Sequence, residues 1–173
     1  MEIRTASRKD VLQLSKLFQQ EIEYHQDMAG YYELLPNFNW VAYTEERLKD
    51  RKRVILVAEH GECLAGFIVG KIMNYPPDYR YKSILRRIVH YVKKITPLPI
   101  KPMKWGFIED CYVMPSLRRQ GIGSQLVLNA MQWFQSKQVS RIELSLIARN
   151  EEGEAFWRKS GFKTFRLSLS KEI

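Results

Sequence analysis

Trp105 to Gln138 is the stretch that leaves this chain the fewest folds to choose from. WGFIEDCYVMP is an apolar-rich run of strand length that stops at Pro115. GIGSQLVLNAMQWFQSKQ repeats apolar residues at Ile122, Leu126, Ala130, Trp133 and Phe134 with helical spacing. Between them stands a short turn carrying Arg118 and Arg119. A strand, a brief turn and a helix in that order belong to an α/β or α+β sheet with helices packed on it. The corner also suits an anion. The first N–H groups of a helix lack intrahelical acceptors, and the helix dipole is positive there. Glycines at 121 and 123 remove side chains that would keep a bulky anion away, the two arginines add charge, and Ser124 adds a hydroxyl donor.

Two nucleotide motifs fail on these residues. A Walker A loop needs a lysine that does not follow Gly123, and a dinucleotide fingerprint needs a third glycine where Leu126 stands. Taken alone, Gly-x-Gly before a helix fits an ordinary tight turn as well as a phosphate site.

The rest of the chain reads as one domain over 1–173. EIRTAS alternates like an edge strand, and Ser7 or Asp10 would cap a helix built on Val11, Leu14, Leu17, Phe18 and Ile22. Glu23 to Trp40 breaks that period and reads as a loop or short helices; TEERLKDRK, from Thr44, reads as a short helix. RVILVAEHGECLAGFIVGKIM gives two strands around Glu59-His60-Gly61-Glu62. RIELSLIA is expected as a strand, EEGEAFWRKS as a helix and GFKTFRLSLS as a last strand.

The net charge of +9 is local: Lys71 to Lys104 holds nine basic residues and one acid, while the remainder holds 19 basic and 18 acidic side chains. Within 75–104, Ile84, Ile88, Val92 and Ile95 form an apolar stripe opposite Lys82, Arg86, Arg87, Lys93 and Lys94, so an inserted amphipathic basic helix is expected. So confined an excess disfavours nucleic acid as a partner. No membrane span or signal peptide is expected, and Cys63 and Cys111 have neither disulfide nor metal-ligand spacing, which points to a reducing cytoplasm and no metal.

EDCYVMPSLRRQGIGSQL, followed after a strand by ARNEEGEAFWRKSGF, closely resembles the signature of the GNAT superfamily of acetyl-coenzyme A-dependent N-acyltransferases. The strong part of the resemblance runs from Trp105 to Phe162. It implies the GNAT fold, a mixed central sheet of about six to seven strands flanked by helices, with the basic helix inserted between the third and fourth strands. It implies that Arg118, Arg119, Gln120, Gly121, Ile122, Gly123 and Ser124 hold the pyrophosphate of acetyl-coenzyme A, the co-substrate. Cys111, Tyr112 and Val113 would lie along the pantetheine arm, with the Val113 N–H polarising the thioester carbonyl. Asn150 matches an Asn that contacts the coenzyme arm in relatives, although an Asn there also serves as a plain helix cap. Glu109 matches the acid that many members keep as a general base, and strand alternation would turn Asp110 to the opposite face. Cys111 as a nucleophile is disfavoured, because no His base is near it in the sequence. The family often places a Tyr general acid where this chain has Trp157, which leaves water, Tyr112 or an N-terminal tyrosine to protonate the thiol.

The activity so implied is N-acetyl transfer to a primary amine by direct attack. The acceptor is either a small amine or a protein amino group. Glu21, Glu23, Asp27 and Glu33, with His25, lie where relatives build the acceptor pocket. The basic helix is the candidate for contact with an acidic acceptor or for homodimer formation. The alternative is a weakly catalytic acetyl-coenzyme A-binding module that contacts an acidic partner through that helix.

Overall fold

The structure is a computed structural model that describes residues 1–30, 33–75, 101, 103–169 and 171. The expected basic helix lies outside these residues. Five strands form one sheet in the order β1 (Glu2–Thr5), β2 (Arg53–His60), β3 (Cys63–Tyr75), β4 (Met103–Val113) and β5 (Ile142–Leu144). All neighbours are antiparallel except β4 and β5, which run parallel. Helices α1 (Val11–Ala29) and α2 (Trp40–Lys49) pack on one face, and α3 (Ile122–Ser136) and α4 (Glu151–Lys159) on the other.

The strand β2 shows why the sheet is covered on both sides. Val54, Leu56 and Ala58 enter a core with Leu126, Ala130 and Phe134 of α3, while Ile55 and Val57 enter a second core with Leu14, Leu17 and Phe18 of α1. A continuous apolar run is what a strand buried on two faces requires. Phe134 is fully buried in a hollow made by two glycines: a Cβ on Gly106 would stand 2.6 Å from its ring, and one on Gly70 2.9 Å. The β2–β3 hairpin closes with His60 opposite Cys63, as the turn signal predicts.

Several boundaries differ from the sequence reading. The first helix continues to Ala29, where Gly30 ends it in the left-handed conformation at φ 66°. The second helix begins at Trp40, capped by Asn39, whose side chain accepts from the Ala42 N–H at 2.9 Å. Thr44 lies inside it, buried, with its hydroxyl donating to the Trp40 carbonyl at 2.8 Å. The strand expected over RIELSLIA shortens to Ile142–Leu144, and GFKTFRLSLS forms no strand among the described residues, so five strands stand where six to seven are expected. Phe165, Leu167 and Leu169 are exposed there. Alternation marks what a segment would bury, but a strand also needs a neighbour to pair with.

Candidate active site

The short β5 creates the site. It pairs with β4 only from Gly106 opposite Ile142 to Ile108 opposite Leu144. Past Ile108 the backbone of β4 has no ladder partner on that side among the described residues, and a cleft of about 610 Å³ opens between β4, the start of α3, the start of α4 and the middle of α1. Cys111, Tyr112, Val113, Arg118, Arg119, Gly121, Ile122, Gly123, Ser124 and Asn150 all line it, together with both Glu109 and Asp110. Gln120 does not: it lines a separate hollow with Met1 and Ile3.

A β-bulge decides how the acids are presented. Val69 of β3 pairs with Asp110 and Gly70 with Ile108, so Glu109 is an extra residue in β4. Ile108 faces the α3 side, and after the bulge so do Cys111 and Val113, while Tyr112 faces α1. The extra residue resets the alternation and puts Glu109 and Asp110 on the same side. Arg47 of α2 reaches both, at 3.3 Å to Glu109 and in closer contact with Asp110. The expectation that Asp110 turns to the opposite face is therefore corrected, because strict alternation does not cross a bulge.

The two carboxylates differ in their surroundings. Glu109 accepts from Arg53 Nε at 2.5 Å and Nη2 at 3.1 Å, and Lys71 Nζ lies 3.4 Å away. Burial pushes its pKa up, but these cations outweigh burial and hold it below the usual carboxylate value. Asp110 is half-buried like Glu109 but lacks its set of cations, and burial, with the nearby charges of Glu21 and Glu109, pushes it up to about 7 against the pull of Arg47. Arg47 is itself held between aromatic rings, 5.0 Å from the centroid of Phe18 and 5.1 Å from that of Tyr43, and it donates to the Tyr43 hydroxyl at 2.6 Å. On α1, buried Glu21 lies 3.1 Å from His25 Nδ1, and that bond raises the imidazole pKa despite burial.

The other end of the cleft is the N-terminus of α3. Gly121 takes φ 84° and its carbonyl starts α3 by accepting from Gln125 N–H at 3.0 Å. Arg118 turns inward: its Nε donates to the Val113 carbonyl at 3.1 Å, its Nη1 meets Glu152 at 2.9 Å, and its guanidinium sits 4.9 Å from the Tyr24 ring centroid. Asn150 caps α4, accepting from the Gly153 N–H at 2.8 Å. Cys111 is pushed up to about 12 by burial and by Glu21 and Asp110, which opposes a thiolate role. Trp157 packs in the core against Phe156 and Phe162 and borders the cleft.

The cleft thus has a helix N-terminus at one end and carboxylates at the other. The sequence profile of the acetyltransferase (GNAT) family matches residues 12–162. The chain belongs to the GNAT acetyltransferase family. Its fold is the mixed sheet of that family. A mutant of the BH1408 protein of Bacillus halodurans aligns with a TM-score of 0.80 at 20% identity, covering 100% of this chain and 99% of that one. A ribosomal-protein-alanine N-acetyltransferase of Brucella melitensis biovar Abortus aligns with a TM-score of 0.68 at 15% identity over 100% of both chains. The aminoglycoside N-acetyltransferase AAC(6')-Iy, in complex with CoA, aligns with a TM-score of 0.65 at 16% identity over 99% of both. At these identities the likeness is one of fold. No curated protein matches the sequence.

The groups that sequence reasoning missed are Arg47 and Arg53. They stand 63 and 57 residues before Asp110 and nothing local marks them. No cluster of potential metal ligands occurs among the described residues. No helix among them is long and apolar enough to cross a membrane.

Proposed function

We propose that this protein transfers an acetyl group from acetyl-coenzyme A to a primary amine by direct attack within a ternary complex. The observation that carries the reading is one cleft that joins the N-terminus of α3 to a pair of half-buried carboxylates, Glu109 and Asp110. The residues present fit the co-substrate. Gly121 has open space where a side chain would stand, Gly123 makes room for the Phe156 ring at the first turn of α3, and Arg119 and Ser124 line the same corner. From Cys111 to Val113, β4 pairs with β3 on one edge, and its other edge, without a strand partner among the described residues, offers backbone groups to an extended arm. CoA in the solved aminoglycoside acetyltransferase supports the same cofactor here.

Acetyl-coenzyme A, when bound, supplies the thioester. The protein supplies proton handling and polarisation. An alkyl ammonium with a pKa near 10 is mostly protonated at neutral pH and cannot attack until it loses a proton. Asp110 is suited to take it, because a base works best when its pKa lies near the operating pH. Glu109 is the poorer base, since its oxygens are engaged by Arg53, Lys71 and Arg47 and its pKa is lowered. The Val113 N–H is assigned to the thioester oxygen as charge develops there. Tyr112, whose hydroxyl is kept protonated by burial, is the side chain assigned to protonate the thiol, since an indole at Trp157 cannot.

The test is thiol release from acetyl-coenzyme A with a panel of polyamines, aminoglycosides, amino acids and peptides, with mass spectrometry of the acceptors. Acceptor-dependent release with a mass gain of one acetyl group supports the reading. Coenzyme A binding without acetylation of any amine rejects it in favour of a binding module.

A further inference from the structure

The mechanism leaves Glu21 without a task, yet it is an unusual side chain in this molecule. It is a carboxylate with 3% side-chain exposure, set on the same helix as the buried apolar residues Leu14, Leu17 and Phe18. One oxygen is bonded to His25; the other, Oε2, has no hydrogen-bond partner among the described residues. A buried carboxylate oxygen left unbonded is costly, so its position calls for an account beyond packing.

The charges around it supply one. On the acceptor side of the cleft stand Glu21, Asp110 and Glu109, with Asp50 joined to the cluster through Arg53. Among the described residues the fixed cations in contact with this cluster are Arg47, Arg53 and Lys71, and all three are directed at Glu109, Asp110 or Asp50. Arg118 is paired with Glu152. Among the described residues all three fixed cations are engaged by other carboxylates, and Glu21 is left with a titratable imidazole as its partner. The upward shift of His25 is the same imbalance seen from the other side, with the site drawing a proton where a cation is wanting.

We propose that Glu21 is the specificity-determining residue of the acceptor site, drawing in an ammonium group and rejecting any acceptor that carries a negative group beside its reacting nitrogen. The inference rests on the acetyltransferase reading above and narrows its acceptor to amines without an adjacent carboxylate or phosphate. The carboxylate acts through its field in a partly closed, low-dielectric cleft, so attraction of one charge and rejection of the other come from one group. Free α-amino acids are excluded; simple alkylamines and amines next to a neutral amide are accepted.

A matched set of acceptors tests this: butylamine, norvaline and norvalinamide, which share a propyl chain and differ in the group beside the amine. The parent protein is expected to favour norvalinamide over norvaline by about 100-fold in kcat/KM counted on the unprotonated amine, so that their different basicities do not enter, the scale of one like-charge contact at partial burial. Glu21→Gln and Glu21→Met are both expected to narrow that ratio at least ten-fold, with coenzyme A affinity held within two-fold as proof of a folded cofactor site. Equal use of norvaline and norvalinamide by the parent overturns the inference alone. So does an unchanged ratio in either folded variant. Absence of thiol release with all three and with every amine of the wider panel overturns the acetyltransferase reading and this inference with it.

Discussion

The two ends of the cleft are built by different means. The anion end is a local device, in which one turn of ten residues, Leu117 to Leu126, brings backbone N–H groups, two arginines and the glycine pair together. The acidic end is assembled from afar: Glu21 comes from α1, Arg47 from α2, Arg53 from β2, and Glu109 and Asp110 from β4. The contrast teaches where each end is vulnerable. Backbone donors survive most side-chain changes but not a change in chain shape, whereas a side-chain cluster is retuned by any single charge.

The comparison is broken most forcefully at Asp110. Asp110→Asn is expected to lower kcat/KM by about 100- to 10,000-fold, the range for loss of a positioned base. The parent's kcat/KM should rise with pH through about 7, as Asp110 ionises, and the variant should lose that limb. Stability moves the other way. A carboxyl whose folded pKa lies above its unfolded value contributes stability at low pH that is lost as pH rises from the ordinary carboxylate range through about 7. The thermal midpoint of the variant relative to the parent is therefore expected to climb between pH 5 and pH 8. A parallel pH course for both proteins would remove Asp110 from the base role.

At the anion end the equivalent blow is a change of shape. A Cβ at Gly123 meets the Phe156 ring at 3.2 Å, so Gly123→Val must shift either the first turn of α3 or that ring. Coenzyme A affinity is expected to fall about 10- to 100-fold, the worth of one or two charge-assisted hydrogen bonds. Calorimetry with coenzyme A measures it. Arg119→Ala, which leaves the backbone donors in place, should cost clearly less; an equal loss would mean that side chains, not the turn, hold the anion.

The same contrast explains what could be read without coordinates. The strand, turn and helix from Trp105 onward were legible because periodicity and the glycine pair are written in consecutive residues, and the boundaries of α3 and α4 fall within two residues of the expected ones. The acidic end was misread by one position. Two adjacent acids inside IEDCYV interrupt the alternation, and that interruption is the local mark of a bulge; period-two logic passed over it and sent Asp110 to the wrong face. Arg47 and Arg53 could not be found by pattern, since an ion pair across more than fifty residues leaves no periodic trace. The last expected strand failed for the opposite reason, a clear pattern with no neighbouring strand among the described residues to use it.

Smaller effects sharpen the acidic end. Arg47→Met keeps a long side chain against Phe18 and Tyr43 and removes the cation that lowers the Asp110 pKa. The acid limb of kcat/KM is expected to move up by about half to one pH unit, a loss of about two- to six-fold at pH 7. A downward or absent shift would show that Arg47 serves packing alone.

Glu109→Gln carries the smallest expected change and the most discriminating one. If Glu109 were the base, the variant would be nearly inactive. With Asp110 as the base, the substitution removes a like charge that raises the Asp110 pKa and frees Arg53 and Lys71 to act on it, so the acid limb should move down. Because Asp110 is already about half ionised at pH 7, the gain there is limited to about two-fold, while at pH 6 it should be larger. Opposite displacements of the limb by Arg47→Met and Glu109→Gln, measured on the same acceptor, would show one carboxylate being tuned from two sides. A collapse of activity in Glu109→Gln at every pH would return the base role to Glu109 and make the bulge a packing feature.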